Sequence, residues 1–191
     1  MVHLTDSELI RNSKNGDMKA FQDLVERYQD KILWIAYQMI GDYEHARDIS
    51  QEAFIRVYRS LDKFNFTSNF YTWLYRIVIN LCIDFFRKQK PTHNSVSLSN
   101  IGAVQDKGDS VVKTIERKEL KEEINEVLKL LPVKYKVVLV LRDIEGFSCK
   151  EIEQIVGYNH NTVRWRLFRA RQIFKKEWEK YQSRKNFDLY T

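Results

Sequence analysis

The chain has only two cysteines, Cys82 and Cys149, far apart in sequence and each on a predicted helix. That excludes a disulfide framework and a paired-cysteine zinc site, and it fits a reducing, cytoplasmic setting. Two prolines and six glycines in 191 residues leave too few turn formers for a sheet of tightly connected strands, so helices are expected to dominate. Long apolar runs are missing as well. Val137–Leu141 is among the longest, far short of a membrane span, and the opening Met-Val-His-Leu-Thr-Asp carries no basic-then-apolar signal. No membrane insertion is expected. The four histidines, His3, His45, His93 and His160, stand singly, and no glycine-rich phosphate loop occurs. Neither a catalytic residue nor a metal nor a cofactor is expected.

The most informative shortage is of acid in one place. Between Asn159 and Lys176 the chain holds six Lys/Arg and no Asp or Glu. Just before it, Ser148 and Glu151 have the spacing of a capping box, Ile152, Ile155 and Val156 make an apolar face, and Gly157 suits a left-handed helix stop. Asn159 can then cap a second helix. In that helix Val163, Leu167, Ala170 and Phe174 recur at helical spacing. Asn161, Arg164, Trp165, Phe168, Arg171, Gln172 and Lys175 project to the other side. A short capped helix, a glycine turn and a basic second helix are the pattern of a helix-turn-helix that inserts its second helix into duplex DNA. An ordinary solvated face would carry acids among its cations. The formal charge of +6 agrees: residues 119–191 have 15 Lys/Arg against 11 Asp/Glu, whereas residues 1–90 have 13 against 12. A surplus placed so far toward one end implies a module that binds nucleic acid.

The first half reads as four helices: a short one opened by Thr5 and Glu8, then about 18–40, 44–60 and 71–90, punctuated by Asn15-Gly16-Asp17 and Gly41-Asp42. Phe21, Leu24, Val25, Tyr28, Ile32, Ile35, Ala36 and Met39 form a core stripe. From Pro91 to about Lys113 periodicity lapses among Ser, Asn, Gly and single charges, as in a flexible linker. Helical pattern resumes at Thr114 and stops at Leu131 before Pro132, which can open the next helix. Val133–Asp143 contains V-V-L-V-L, a strand by propensity alone, but with no partner strand it is read as a buried helix. The expected fold is all-α: two small helical domains, 1–90 and 114–191, joined by a linker over 91–113.

Two segments of the first half carry chemistry. On the third helix Asp48, Gln51 and Glu52 share a face. Lys63–Trp73 mixes aromatics with amides and hydroxyls in a loop running into a helix. Packing claims Trp73, Leu74 and Ile77 but does not obviously claim all of Phe64, Phe66, Phe70 and Tyr71. Aromatics beside amides can stack on unpaired bases at about 1–3 kcal/mol per stack, against about 1.4 kcal/mol to unstack a duplex step. One or two captured bases can offset local opening, and a partner must supply the rest.

With these segments in order, the chain resembles a bacterial RNA polymerase sigma factor of the sigma-70 family, extracytoplasmic-function group, from about Lys19 to Glu177. D-I-S-Q-E-A-F-I-R-V-Y resembles the polymerase-clamp-binding helix, and F-Y-T-W-L-Y-R-I-V-I-N-L-C-I-D-F-F-R-K the minus-ten reader. L-L-P-V-K-Y-K-V-V-L-V-L-R-D-I-E-G-F-S-C-K-E-I with N-T-V-R-W-R-L-F-R-A-R resembles region 4. The resemblance implies core RNA polymerase and promoter DNA as partners, together with a sequestering anti-sigma factor. It places Asp48, Gln51 and Glu52 at the polymerase contact. Phe64, Phe66, Asn69 and Phe70 would form the specificity loop around a flipped-out base, supported by Asn80. Arg76, Arg87 and Lys88 would lie on phosphates, although Arg87 and Lys88 read equally as solvated helix-end charges. In the minus-thirty-five groove it places Asn161, Arg164, Trp165, Phe168 and Arg169, with Arg171 and Lys175 on phosphates. Three departures stand out: Trp165 and Glu153 occupy positions where the family has small residues, and Asn159-His160-Asn161 replaces a small or hydroxyl run.

A self-sufficient helix-turn-helix repressor or activator is the alternative, but it would dimerise on a palindrome. No heptad seam is present, and the aromatic loop would have no task. An enzyme fits less well still, for want of any catalytic constellation.

Overall fold

Capping and periodicity divide the chain into helices close to the expected bounds. The computed structural model describes the backbone of residues 4–89 and 111–188, and the side chains of 4–89 and 119–186. Thr5 and Glu8 form a reciprocal capping box that opens α1 (Asp6–Lys14), and the Asp17 carboxylate caps α2 (Met18–Ile40). Gly41 ends α2 at φ 79°, and a Cβ there would come within 2.6 Å of the Lys129 side chain, so both conformation and space favour glycine. Asp42 caps α3 (Tyr43–Ser60), a 3-10 turn follows at Leu61–Lys63, and α4 spans Phe70–Gln89.

The second half opens with α5 (Val111–Lys129), which covers the last three positions expected of the linker. Residues 91–110 of that linker lie outside the described residues. Pro132 precedes α6 (Val133–Leu139), so the V-V-L-V-L run is helical. The helix then loosens into a π turn at Val140–Ile144, where the Glu145 N–H donates to the Val140 carbonyl. Ser148 and Glu151 form the capping box of α7 (Cys149–Val156), Gly157 stops it at φ 71°, and α8 runs over His160–Asp188 with the Asn159 side chain accepting from Thr162 N–H.

Leu24, Ile32, Ile35, Met39, Leu74, Val78 and Ile79 are buried in the first half, and Leu128, Val138, Leu141, Ile152, Ile155 and Val163 in the second. The two sets are continuous, because α7 packs on α4 and α5 and α6 reach α2. At the seam Phe147 stacks on Tyr71, with ring centroids 5.0 Å apart and planes 17° from parallel. Tyr71 OH donates to Tyr75 OH at 2.8 Å, and Tyr75 OH donates to the Glu145 carboxylate at 2.7 Å. Lys136, 2% exposed, donates from Nζ to the Met39 carbonyl at 3.1 Å and lies 5.3 Å from the Phe86 ring centroid. Burial lowers its pKa to about 8.

Candidate nucleic-acid interface

The outer face of α3 is the first candidate surface. Asp48 and Gln51 are exposed, and Glu52, half-buried, accepts from Arg56 at 2.8 Å. One or two turns on, Ile55 and Tyr58 extend the same face, 45% and 51% exposed, and Met18 lies against Tyr58 with its sulfur 3.5 Å from the hydroxyl. Large apolar groups left in water beside a polar stripe mark a contact surface more reliably than the charges do. Sequence reading took the carboxylates and missed these side chains, although Ile55 and Tyr58 stand seven residues beyond Asp48 and Gln51, on the same helical face.

The aromatic loop corrects an expectation. Phe64 and Phe70, expected to surround a base, are each 3% exposed. Their rings meet edge to face at 5.7 Å, and Trp73 and Tyr28 pack against them at 5.1 and 5.6 Å. Two apolar rings in a loop this short gain more from mutual burial than from waiting in solvent for a ligand. Tyr71 is likewise taken up at the seam. Phe66 alone among the loop's phenylalanines is substantially exposed, at 41%. Its φ of 60° makes it the only described non-glycine residue with positive φ, a conformation that costs about 1–3 kcal/mol and persists only where neighbours hold it. The holding groups are visible. The Asn65 amide oxygen accepts from Thr67 N–H and Oγ1. The Phe64 ring abuts Phe66 at 5.0 Å, and the Arg11 and Lys14 cations lie 5.6 and 5.4 Å from its centroid. Asn69 accepts from Tyr71 N–H through its side chain and from Trp73 N–H through its carbonyl, so its amide oxygen serves the start of α4. Arg76 and Asn80 are exposed one turn apart on α4, with Arg87 farther along the same face. Lys88 is also exposed, and Arg87 is paired with Asp84 at 2.9 Å.

The second surface is α8. Asn161, Arg164, Trp165, Phe168, Arg169, Arg171 and Lys175 are all exposed, while Val163, Leu167 and Ala170 are buried. Trp165 and Phe168 are 57% and 63% exposed. Arg171 departs from the expected free phosphate contact: it makes a two-bond pair with Asp143, Nε to Oδ2 at 2.9 Å and Nη2 to Oδ1 at 2.6 Å. The π turn carries Asp143, and nothing in the sequence pattern signalled that detour. Arg166, half-buried, is set apart from the exposed residues of this helix, its guanidinium 3.8 Å from the Tyr158 ring centroid. Two of the departures from the family prove to be partners: Glu153 Oε1 is 2.5 Å from His160 Nδ1, bridging α7 and the start of α8.

The two stretches that carry these surfaces match known proteins. Residues 24–92 match the family description Sigma-70 region 2, and residues 121–173 match Sigma-70, region 4. The ECF RNA polymerase sigma factor SigW of Bacillus subtilis is 37% identical over 175 residues, 88% of this chain and 94% of that protein. The chain belongs to the sigma-70 family. RNA polymerase sigma-H factor of Pseudomonas aeruginosa is 36% identical over 90% of this chain and 92% of its own length. The sigma factor RpoE of Bartonella quintana, solved with the anti-sigma factor NepR, shares the fold, with a TM-score of 0.68 over 85% of this chain and 98% of that one at 20% identity. As a member of the ECF group, the chain is an alternative sigma factor that directs promoter-specific transcription initiation. Among the described residues no helix is long and apolar enough to cross a membrane.

Proposed function

We propose that the two halves divide the work of promoter recognition. The α3 face, with Asp48, Gln51, Glu52 and the adjoining Ile55 and Tyr58, docks on core RNA polymerase. Phe66, with Asn80 and Arg76 on α4, takes the melted minus-ten strand, and the exposed face of α8 reads the minus-thirty-five duplex. The observation that supports this most is the presence in one chain of a basic, solvent-facing second helix of a helix-turn-helix and a loop presenting one aromatic ring beside two cations. The first suits a duplex groove and the second an unpaired base. The protein acts by recognition rather than catalysis, in the cytoplasm, under an anti-sigma factor that covers these faces.

The packed arrangement cannot read both elements at once. Two elements about 25 base pairs apart are separated by roughly 85 Å of stiff duplex at about 3.4 Å per pair. A folded chain of this length has a radius of gyration of roughly 16 Å and is about 40 Å across. The modules therefore part at the Tyr75–Glu145 and Lys136–Met39 seam when they engage polymerase. Transcription by core polymerase with and without the chain, followed by start-site mapping, tests the proposal. New, sequence-specific starts are expected; unchanged starts contradict it.

A further inference from the structure

α1 lies upstream of the stretch matching region 2, which begins at residue 24, yet it touches the loop that carries Phe66. Lys14, in the last turn of α1, sends its ammonium across 48 and 50 residues of sequence to two main-chain carbonyls, Asp62 at 3.2 Å and Phe64 at 2.5 Å. The same nitrogen lies 5.4 Å from the centroid of the Phe66 ring, and Arg11, one turn earlier, stands 5.6 Å from it. Charge-assisted bonds to two carbonyls of one turn fix the entry to the loop. Phe66 follows two residues later, at a φ of 60° that a bulky side chain adopts only under constraint.

We infer that Lys14 is a positioning residue for minus-ten recognition: it holds the Leu61–Phe64 turn so that the Phe66 ring is presented, preformed, to a captured base. This rests on the reading of the loop as the base-capturing element. Three features favour positioning over a direct contact with DNA. Two of the ammonium's three donors are already committed to main-chain oxygens. Lys14 is half-buried, unlike the exposed Arg164, Arg169 and Lys175 of α8. Its partners are the two carbonyls just upstream of Phe66, the residue held at positive φ, so removing it frees the segment whose conformation determines where the ring points. Arg11, touching only the ring, has the lesser part.

The experiment uses holoenzyme assembled from core polymerase and the full chain. Its probe is a fluorescent single-stranded 12-mer carrying the non-template minus-ten sequence of a promoter mapped with this protein, compared with versions made abasic at each position in turn. The unaltered chain is expected to lose about tenfold in affinity when the captured base is missing, the fold-change of one lost base–aromatic stack. With Lys14→Met the intact oligonucleotide binds about tenfold more weakly, and the abasic penalty falls to about twofold or less, since a displaced ring gains little from a base. Lys14→Arg, which can donate to both carbonyls, restores the penalty. Lys14→Gln reads the same ratio if the methionine variant does not fold. A full abasic penalty kept by a folded variant, with affinity lost equally on every oligonucleotide, makes Lys14 a phosphate contact and overturns the inference. Absence of any abasic penalty in the unaltered chain refutes base capture itself, and the two failures are told apart by the protein in which they occur.

Discussion

The aromatic loop before α4 and the helix α8, proposed above as the two nucleic-acid surfaces, both expose rings beside cations, but they treat the rings in opposite ways. Phe64 in the loop and Phe70 at the start of α4 are sunk into the core to support one ring, Phe66, in a strained conformation. On α8, Trp165 and Phe168 stand largely in solvent on a regular helix, with only the Tyr135 ring, 6.1 Å away between centroids, beside Trp165. An unpaired base has to be met by a preformed surface, because the loop would otherwise lose ordering entropy on binding. A duplex groove is itself rigid and needs only a helix whose side chains project at the right spacing. Loop residues should therefore affect folding and binding together, and α8 residues binding alone.

The largest expected effect tests the loop's foundation. Phe70→Ala should destabilise the protein by about 3–5 kcal/mol, as for other buried rings removed from a core, measured by urea unfolding. A loss under about 1 kcal/mol would mean the ring is not the support described. Arg164→Ala should cost about 1–3 kcal/mol in duplex binding if it reads a base edge, with relaxed preference at one position. An even loss across all duplexes would demote it to a phosphate contact. Phe66→Ala should cost about 1–3 kcal/mol on single-stranded minus-ten DNA and leave duplex affinity unchanged.

The seam gives a pH test of intermediate size. Lys136 has a folded pKa lowered by burial to about 8, so above pH 8 the unfolded chain binds more protons than the folded one. Stability attributable to this group should then rise with pH, by about 1 kcal/mol between pH 8 and 9. From pH 9 upward the opposite sign sets in. Burial raises the Cys82 thiol to about 12 and also raises Tyr28, Tyr37, Tyr71 and Tyr75, and their ionisation favours the unfolded chain. Lys136→Met should abolish the rise in urea unfolding between pH 8 and 9; an unchanged slope would show that the ammonium is not buried. The smallest effect sharpens the contrast between the two surfaces. Phe168→Ala should move stability by no more than about 0.5 kcal/mol while weakening duplex binding.

Much of the fold was legible because local chemistry and periodicity agreed. The reciprocal caps at Thr5–Glu8 and Ser148–Glu151, the Asp17 and Gly41 bounds of α2, and the split of α8 into a buried stripe and a basic one all follow from the residues themselves. What escaped depended on distant partners. The π turn at Val140–Ile144 leaves no mark on a helical repeat, yet it brings Asp143 to Arg171 and sets Glu145 against the tyrosines of α4. Lys136 sits within V-K-Y-K-V-V-L, where spacing alone does not reveal that its ammonium will cap the end of α2. The loop aromatics have no period, so nothing in the sequence separated the buried Phe64 and Phe70 from the exposed Phe66. Glu153 and His160 looked like independent departures from the family until their pairing was seen.

The most direct test of the divided reading is a coupling experiment on open-complex formation by the holoenzyme. Phe66→Ala and Arg164→Ala are each crossed with a base substitution in the minus-ten and in the minus-thirty-five element, and coupling free energies are taken from the four cycles. Phe66 is predicted to couple only to the minus-ten change and Arg164 only to the minus-thirty-five change. Coupling of both residues to the same element, or of neither to any, would contradict the account.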